Sequence, residues 1–219
     1  MGRRNLWLLD HEEGGYMSLI PWHPVERYEV ESKGFTLIEL VVAMAITAIL
    51  LGLAVPSFST WINNAKVRTG AEVLQNALRL AQAEAIKRSH QIVFVLTNAT
   101  AAASAPPVAN GSNWYIQVLP VVADETVSGA YVQGGNVGEQ ASGIAVTGPA
   151  IICFNSAGVL VGNTSTGLGA DCTAPTNTVT YDVSKSGADR TLEVQVSPTG
   201  KIRMCDKSKT LSATTPDGC

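Results

Sequence analysis

From Ser89 to Ser184 the sequence contains neither lysine nor arginine. Any basic surface is therefore confined to the N-terminal third and to a short C-terminal stretch, Lys185 to Lys209. Charged residues make up only 15% of the chain and the formal net charge is −3, a balance that by itself names no partner. There is no CxxC, and the four cysteines stand in no zinc-type spacing with a histidine, so no metal site is expected. Of three histidines, His90 alone lies beyond residue 34, and no serine or cysteine motif stands beside it. The glycine cluster Gly134 to Gly138 leads into no Lys-Ser/Thr pair and opens no helical pattern, which excludes a phosphate loop. Asp124-Glu125 suits a solvated turn. No catalytic constellation remains, and neither an enzymatic activity nor a cofactor is expected.

The first 34 residues also lack the apolar core of an ordinary secretory signal, and they hold six acids against four bases. Two tryptophans, Trp7 and Trp22, fall within them, and Met17 offers an alternative start. The next 21 residues, Phe35 to Val55, are almost wholly apolar and carry a single charge, Glu39. As a helix this stretch would span roughly 30 Å, the thickness of a hydrocarbon core. A carboxylate in such a place costs at least ~2.5–3.5 kcal/mol. A segment needed only as an anchor would avoid it.

After Pro56 a helical period continues through Phe58, Trp61, Ile62, Ala65, Leu74, Ala77, Leu78, Ala81 and Ala85, with Lys87 and Arg88 suited to its C-terminal end near Ser89. Trp61 and Trp114 are expected as packing residues. Gly70 is expected to weaken the helix modestly. From Gln91 the texture becomes short runs rich in Val, Ile and aromatics: QIVFVLT, NWYIQVL, GIAVT, AIICFN, GVLVG, TVTYDV, TLEVQVS and KIRMC. Gly, Pro, Asn and Ser separate them, as in an antiparallel β domain. Thr97 to Asn113 is a low-complexity loop expected to be mobile, and Ser128 to Gly143 is a second flexible candidate. The fold class is therefore α+β: a long N-terminal helix, half apolar and half amphipathic, packed on antiparallel strands.

Cys153, Cys172, Cys205 and Cys219 all lie beyond the apolar run. An even number in an exported domain implies two disulfides. Of three possible pairings, Cys153–Cys172 with Cys205–Cys219 is expected, because each closes a short loop worth roughly 3 kcal/mol.

The segment KGFTLIELVVAMAITAILLGLAVPSF resembles the processing signal of type IV pilins and type II secretion pseudopilins. The resemblance implies cleavage by a prepilin peptidase after Gly34, N-methylation of Phe35, and a glutamate, Glu39, that neutralises the Phe35 amine of a neighbouring subunit in a filament. A buried charge is tolerable when paired and not otherwise. Pro56 occupies the place where the membrane part of the helix ends in that family. IICFNSAGVL, with Phe154 and Gly158, and VSPTGKIRMCD resemble the GspH/FimT branch. The leader, long and acidic, departs from the usual short basic one. The resemblance implies a leader over 1–34, a transmembrane and filament-core helix over 35–56, an amphipathic helix over 57–89 and a periplasmic β domain over 90–219. It further implies a single-pass protein of the bacterial inner membrane, extracellular when assembled, whose partners are other pilin or pseudopilin subunits. The expected function is that of a minor pilin or pseudopilin in filament assembly or a tip complex.

The alternative partner is DNA. Six of the 15 basic residues, Lys185, Arg190, Lys201, Arg203, Lys207 and Lys209, fall in the C-terminal stretch. GKIR, Gly200 to Arg203, resembles the Gly-Arg-x-Arg motif of DNA-binding FimT proteins, with lysine in place of the first arginine. Lys201 and Arg203 alternate on a strand and would share one face. A lysine keeps the charge but lacks the planar fork of arginine.

Overall fold

The structure, a computed structural model, describes residues 34–120 and 130–219, without the side chains of residues 53–57. The expected leader up to residue 33, including Met17, Trp7 and Trp22, and the Asp124-Glu125 pair lie outside the described residues. The chain divides into two compact units, Met1–Ala45 and Ile46–Cys219.

Helix α1 is Leu37–Arg88, with Glu39 in its first turn and Lys87 and Arg88 in its last. Both placements suit the helix dipole. Ser89, at φ 54°, takes the left-handed conformation that ends helices. Within the second unit the buried stripe of α1 is Val67, Ala71, Leu74, Leu78, Ala81 and Ala85. These recur at three and four residues, and the alanines let the backbone of the helix approach the strands closely. The stripe begins later than expected. Phe58 and Trp61 stack on each other with ring centroids 5.8 Å apart and are 61% and 65% exposed, so Trp61 is not a packing residue of this chain. Ala65 is exposed as well.

Among the described residues the helix leads into nine strands: β1 Ile92–Thr97, β2 Asn113–Val118, β3 Tyr131–Asn136, β4 Ile144–Thr147, β5 Ile151–Phe154, β6 Leu160–Val161, β7 Val179–Lys185, β8 Leu192–Val196 and β9 Ile202–Asp206. They form two sheets, ordered β3-β2-β1-β5-β6 and β4-β7-β8-β9, with every neighbouring pair antiparallel. The fold class is α+β. The main core lies where the α1 stripe meets both sheets. Phe94, Ile116 and Phe154 come from the first sheet, and Tyr181, Val183 and Val194 from the second. Phe94 touches the Tyr181 ring edge-on at 6.0 Å and stacks on Trp114 at 6.3 Å. Trp114 is thus a packing residue. A second cluster covers the opposite face of the first sheet, where Val93, Val95 and Tyr115 lie under Ala105, Leu168 and Cys172. Strand β1 is consequently buried on both faces, which is why QIVFVLT carries no alternation.

Two flexible-looking segments are ordered by specific contacts. The loop from Thr97 to Asn113 is tied down rather than loose. The Tyr115 hydroxyl donates to the Ala105 carbonyl at 2.7 Å, Ser104 N donates to Gln117 Oε1 at 2.9 Å, and Val108 N donates to the Leu96 carbonyl at 2.8 Å. Burial pushes the Tyr115 hydroxyl up to about 12, so it stays a donor at any ordinary pH. In the second segment, Tyr131–Asn136 is strand β3. Its glycines answer to close approach: a Cβ on Gly135 would meet the Trp114 ring at 3.3 Å, and one on Gly134 would meet the Trp114 carbonyl at 2.8 Å. Gly70 has the same explanation. A Cβ there would press on Ile144 and Val183 at 3.2–3.3 Å, so the residue seats the helix against the second sheet.

Both disulfides join sequential cysteines, with Cα separations of 5.8 Å for Cys153–Cys172 and 5.2 Å for Cys205–Cys219. The first pins the loop carrying Leu168 over the outer face of the first sheet. The second holds the C-terminal tail beside β9, where Asp206 bridges Gly218. Strand β9 is an edge of its sheet, and the tail shields it from pairing with another chain.

At the C-terminal end of α1, Glu84 is largely buried and accepts from Arg88 Nε at 2.6 Å and Lys87 Nζ at 3.0 Å. Arg88 first, and Lys87 with it, holds the Glu84 carboxyl below its ordinary value of 4.5. A depressed folded-state value adds stability above the unfolded value and loses it as pH falls through the folded one. We therefore expect the stability gap between the wild type and Glu84→Gln to be widest at neutral pH and to close as pH drops below about 4.5. Urea midpoints at pH 7 and pH 3 check this. A gap independent of pH would contradict it.

Among the described residues no helix is long and apolar enough to cross a membrane. The first described apolar stretch of α1 runs from Leu37 to Gly52, short of the ~20 residues a span needs, and the side chains of residues 53–57 lie outside the described ones.

Candidate functional site: the helix start and the basic C-terminal edge

In the first unit, the start of α1 explains part of the tolerance for Glu39. The Glu39 carboxylate turns back on its own helix terminus. Its Oε2 accepts from Thr36 N at 2.9 Å and from Thr36 Oγ1 at 2.8 Å, while Glu39 N donates to Thr36 Oγ1 at 3.3 Å. This reciprocal pairing is a capping box, which satisfies amides that the first turn of a helix leaves orphaned. Its signal in the sequence is Thr-x-x-Glu directly before an apolar run, and the apolar run overshadows it. The capping box lowers the cost of the carboxylate within one chain, and both of its hydrogen bonds fall on a single oxygen. Gly34 and Phe35 immediately precede the box, and Phe35 is exposed. So are this unit's large apolar residues Leu37, Ile38, Leu40 and Met44 and, in the second unit, Ile46, Ile49, Leu50 and Leu51. An apolar surface of this extent requires a lipid or protein partner.

The second unit brings the basic C-terminal residues together, but mostly against acids and carbonyls of the same chain. Ile202 and Met204 of β9 pack on the main core, so Lys201 and Arg203 share the outward face. They line one shallow depression with Gln195, Ser197 and Cys219. Arg203 is committed: Nε donates to Gln195 Oε1 at 2.9 Å and Nη2 to the Gly218 carbonyl at 2.7 Å. It serves as a clamp for the tail. Lys207 pairs with Asp182 and lies 4.0 Å from Glu193. Asp182 and Glu193 stand directly opposite each other across β7 and β8, a like-charge pair whose repulsion Lys207 offsets in part. Asp182 in turn raises the Lys207 ammonium above its ordinary value. Lys209 pairs with Asp217, Arg190 lies 3.8 Å from Asp206, and Lys185 donates to the Ser142 carbonyl at 2.7 Å. Among the described residues, Lys201 alone of the six cations keeps its ammonium exposed without such a partner.

One cluster of ligand-type atoms, Glu193 with Cys205 and Cys219, occurs among the described residues, but both sulfurs are spent in the disulfide. His90 is half-buried beside the helix end, its Nδ1 3.0 Å from the Arg88 carbonyl.

A residue that sequence reasoning missed holds the fold together where the helix meets both sheets. Gln82 Nε2 donates to the Gly158 carbonyl and to the Gly200 carbonyl, each at 2.7 Å. Gly158 lies in the β5–β6 turn and Gly200 in the β8–β9 turn, so one amide ties a turn of each sheet to the helix. Nearer the start of the helix, Asn63 Nδ2 donates to the Gly187 carbonyl and Asp189 N donates to Asn64 Oδ1, both at 3.2 Å. These polar residues on a helix carry no periodic signal, and their partners are more than 70 residues away in sequence.

Two family models match. The prokaryotic N-terminal methylation motif covers residues 31–55, and type II transport protein GspH covers residues 70–200. No curated protein matches the sequence. Among solved structures, the chain is similar to the type IV minor pilin FimU of Pseudomonas aeruginosa, at 19% identity over 71% of this chain and 96% of that one, with a TM-score of 0.46. It is also similar to the minor pseudopilin EpsH from the type 2 secretion system of Vibrio cholerae, at 12% identity over 66% and 99% of the two chains, with a TM-score of 0.41. Since the GspH model spans more than half of the chain and the methylation motif falls on the capped start of its long helix, the chain belongs to the type II transport protein GspH family.

Proposed function

We infer that the chain is a minor pilin or pseudopilin: a non-enzymatic filament subunit held in the inner membrane by the apolar part of α1 until it assembles. The observation that carries this reading is the methylation motif over residues 31–55, set on a helix start whose exposed side chains are nearly all apolar. Prepilin peptidase would cut after Gly34 and leave Phe35 as the methylated N-terminus. Glu39, held in place by Thr36, would meet the Phe35 amine of a neighbouring subunit. The charge of Glu39 is then compensated in the filament more fully than by its own helix cap. The β domain, stapled at Cys153–Cys172 and Cys205–Cys219, would face the periplasm.

Fractionation tests the reading. The chain should sediment with the inner membrane when filament assembly is blocked, and appear with sheared or purified filaments when it is not. A chain that stays out of every filament and tip fraction would overturn it. A DNA-holding role is the weaker reading, because phosphate would have to displace Asp182, Asp217 and the Gly218 carbonyl from the cations they already engage. A salt-sensitive gel shift that falls in Lys201→Ala and Arg203→Ala would restore it.

A further inference from the structure

We propose that the stacked Phe58–Trp61 pair marks the lipid headgroup boundary of the unassembled chain, and that the surface it meets is an anionic membrane. The proposal rests on the anchor reading above. The two aromatics stand one helical turn apart and come directly after the apolar run in sequence. Neither packs into the domain core; both rings are mostly exposed and stack on each other. The polar ties between helix and domain begin immediately afterwards, at Asn63 and Asn64, which bind the β7–β8 turn. The pair therefore occupies the last turn of α1 before the helix is engaged by folded protein. Tryptophan and phenylalanine exposed where an apolar segment gives way to a polar one suit the headgroup region, where the amphipathic indole has one edge in hydrocarbon and one in water.

Charge selects lipid as the occupant. No acid occurs between Glu39 and Glu72; of the two cations in that interval Arg68 pairs with Glu72 at 2.9 Å, which leaves Lys66 as the charge nearest the rings. Lys66 lies about 7.5 Å beyond Trp61 along the helix axis. That is within one Debye length at physiological salt, about 8 Å, so its charge acts on phosphate headgroups at the level of the rings.

The test is depth-dependent quenching of tryptophan emission. The full chain is reconstituted in phosphatidylcholine/phosphatidylglycerol vesicles whose acyl chains carry bromine either near the headgroup or near the bilayer centre. Trp61→Phe isolates the contribution of that one ring. We expect the shallow bromines to quench most of the emission that Trp61→Phe removes, and the deep bromines to leave it nearly unchanged. Emission from Trp61 that neither set quenches would place the ring in water and overturn the proposal. Quenching by the deep set alone would place it in hydrocarbon and do the same. Shielding from both lipid and a water-soluble quencher, seen only at high protein-to-lipid ratio, would assign the pair to a neighbouring helix and also overturn it. Vesicle flotation separates the two levels of failure. A chain that does not float sinks the anchor reading and this proposal together, whereas a floating chain with unquenched Trp61 sinks this proposal alone.

Discussion

Glu39→Gln is expected to insert in the membrane and to be largely missing from filaments. The amide still offers an oxygen to Thr36 N and Oγ1, so the capping box survives, since glutamine serves that position as glutamate does. Loss of the negative charge eases insertion. On the role proposed for Glu39, what disappears is the partner of the neighbouring subunit's Phe35 amine. Leaving one member of a buried ion pair uncompensated costs about 3–5 kcal/mol, which is roughly a hundredfold or more in incorporation. Thr36→Val supplies the opposite control. It removes the hydroxyl of the cap and keeps the carboxylate, a loss of about 1 kcal/mol at the helix start, and incorporation should fall far less. Filament immunoblots normalised to the membrane pool read both variants. If Glu39→Gln enters filaments as the wild type does while Thr36→Val does not, the carboxylate is a helix cap and nothing more.

The second large effect is on folding. Gly200→Ala should destabilise the β domain by about 3–5 kcal/mol, combining backbone strain with the loss of buried hydrogen bonds. Gly200 has φ +87°, a region that side chains rarely adopt. A Cβ there would sit 2.1 Å from the Gly158 carbonyl oxygen and 2.5 Å from Gln82 Nε2. Neither can yield without breaking the Gln82 bridge that holds a turn of each sheet to α1. For a domain of this size the loss corresponds to roughly 10 °C in Tm. Gln82→Ala, which only removes the bridge, should cost about 2 kcal/mol. Thermal unfolding of the detergent-solubilised chain orders the two, with Gly200→Ala the lower. Equal midpoints for the glycine variant and the wild type would mean that the two turns are not in the contact described.

The resemblance carried by KGFTLIELVVAMAITAILLGLAVPSF and the short Val/Ile runs make the long helix and eight of the strands legible in the sequence, because apolar periodicity is a local property. Of the three pairings the sequence leaves open, the structure has the one favoured for its short loops. Strand β3 is not, since Gly134 and Gly135 look like flexibility in sequence. Their purpose appears only when Trp114 lies against them. Phe58 and Trp61 continue the helical period and so look like core, but the strands to bury them begin farther along α1. The basic edge shows the converse limit. Six cations close in sequence suggest a surface for phosphate, whereas Asp182, Glu193, Asp206 and Asp217, brought in by strand pairing and the tail, pair with three of them, and an amide and carbonyls engage two more. Pairing of this kind depends on register, which composition does not encode.

The intact mass of the membrane-bound chain, with its N-terminal peptide sequenced, tests the central claim most directly. A filament subunit of this family should begin at Phe35 and carry one added methyl group on that amine. A chain that retains residues 1–34 in cells with an active prepilin peptidase would contradict the account. Glu39 would then have no neighbouring amine to meet.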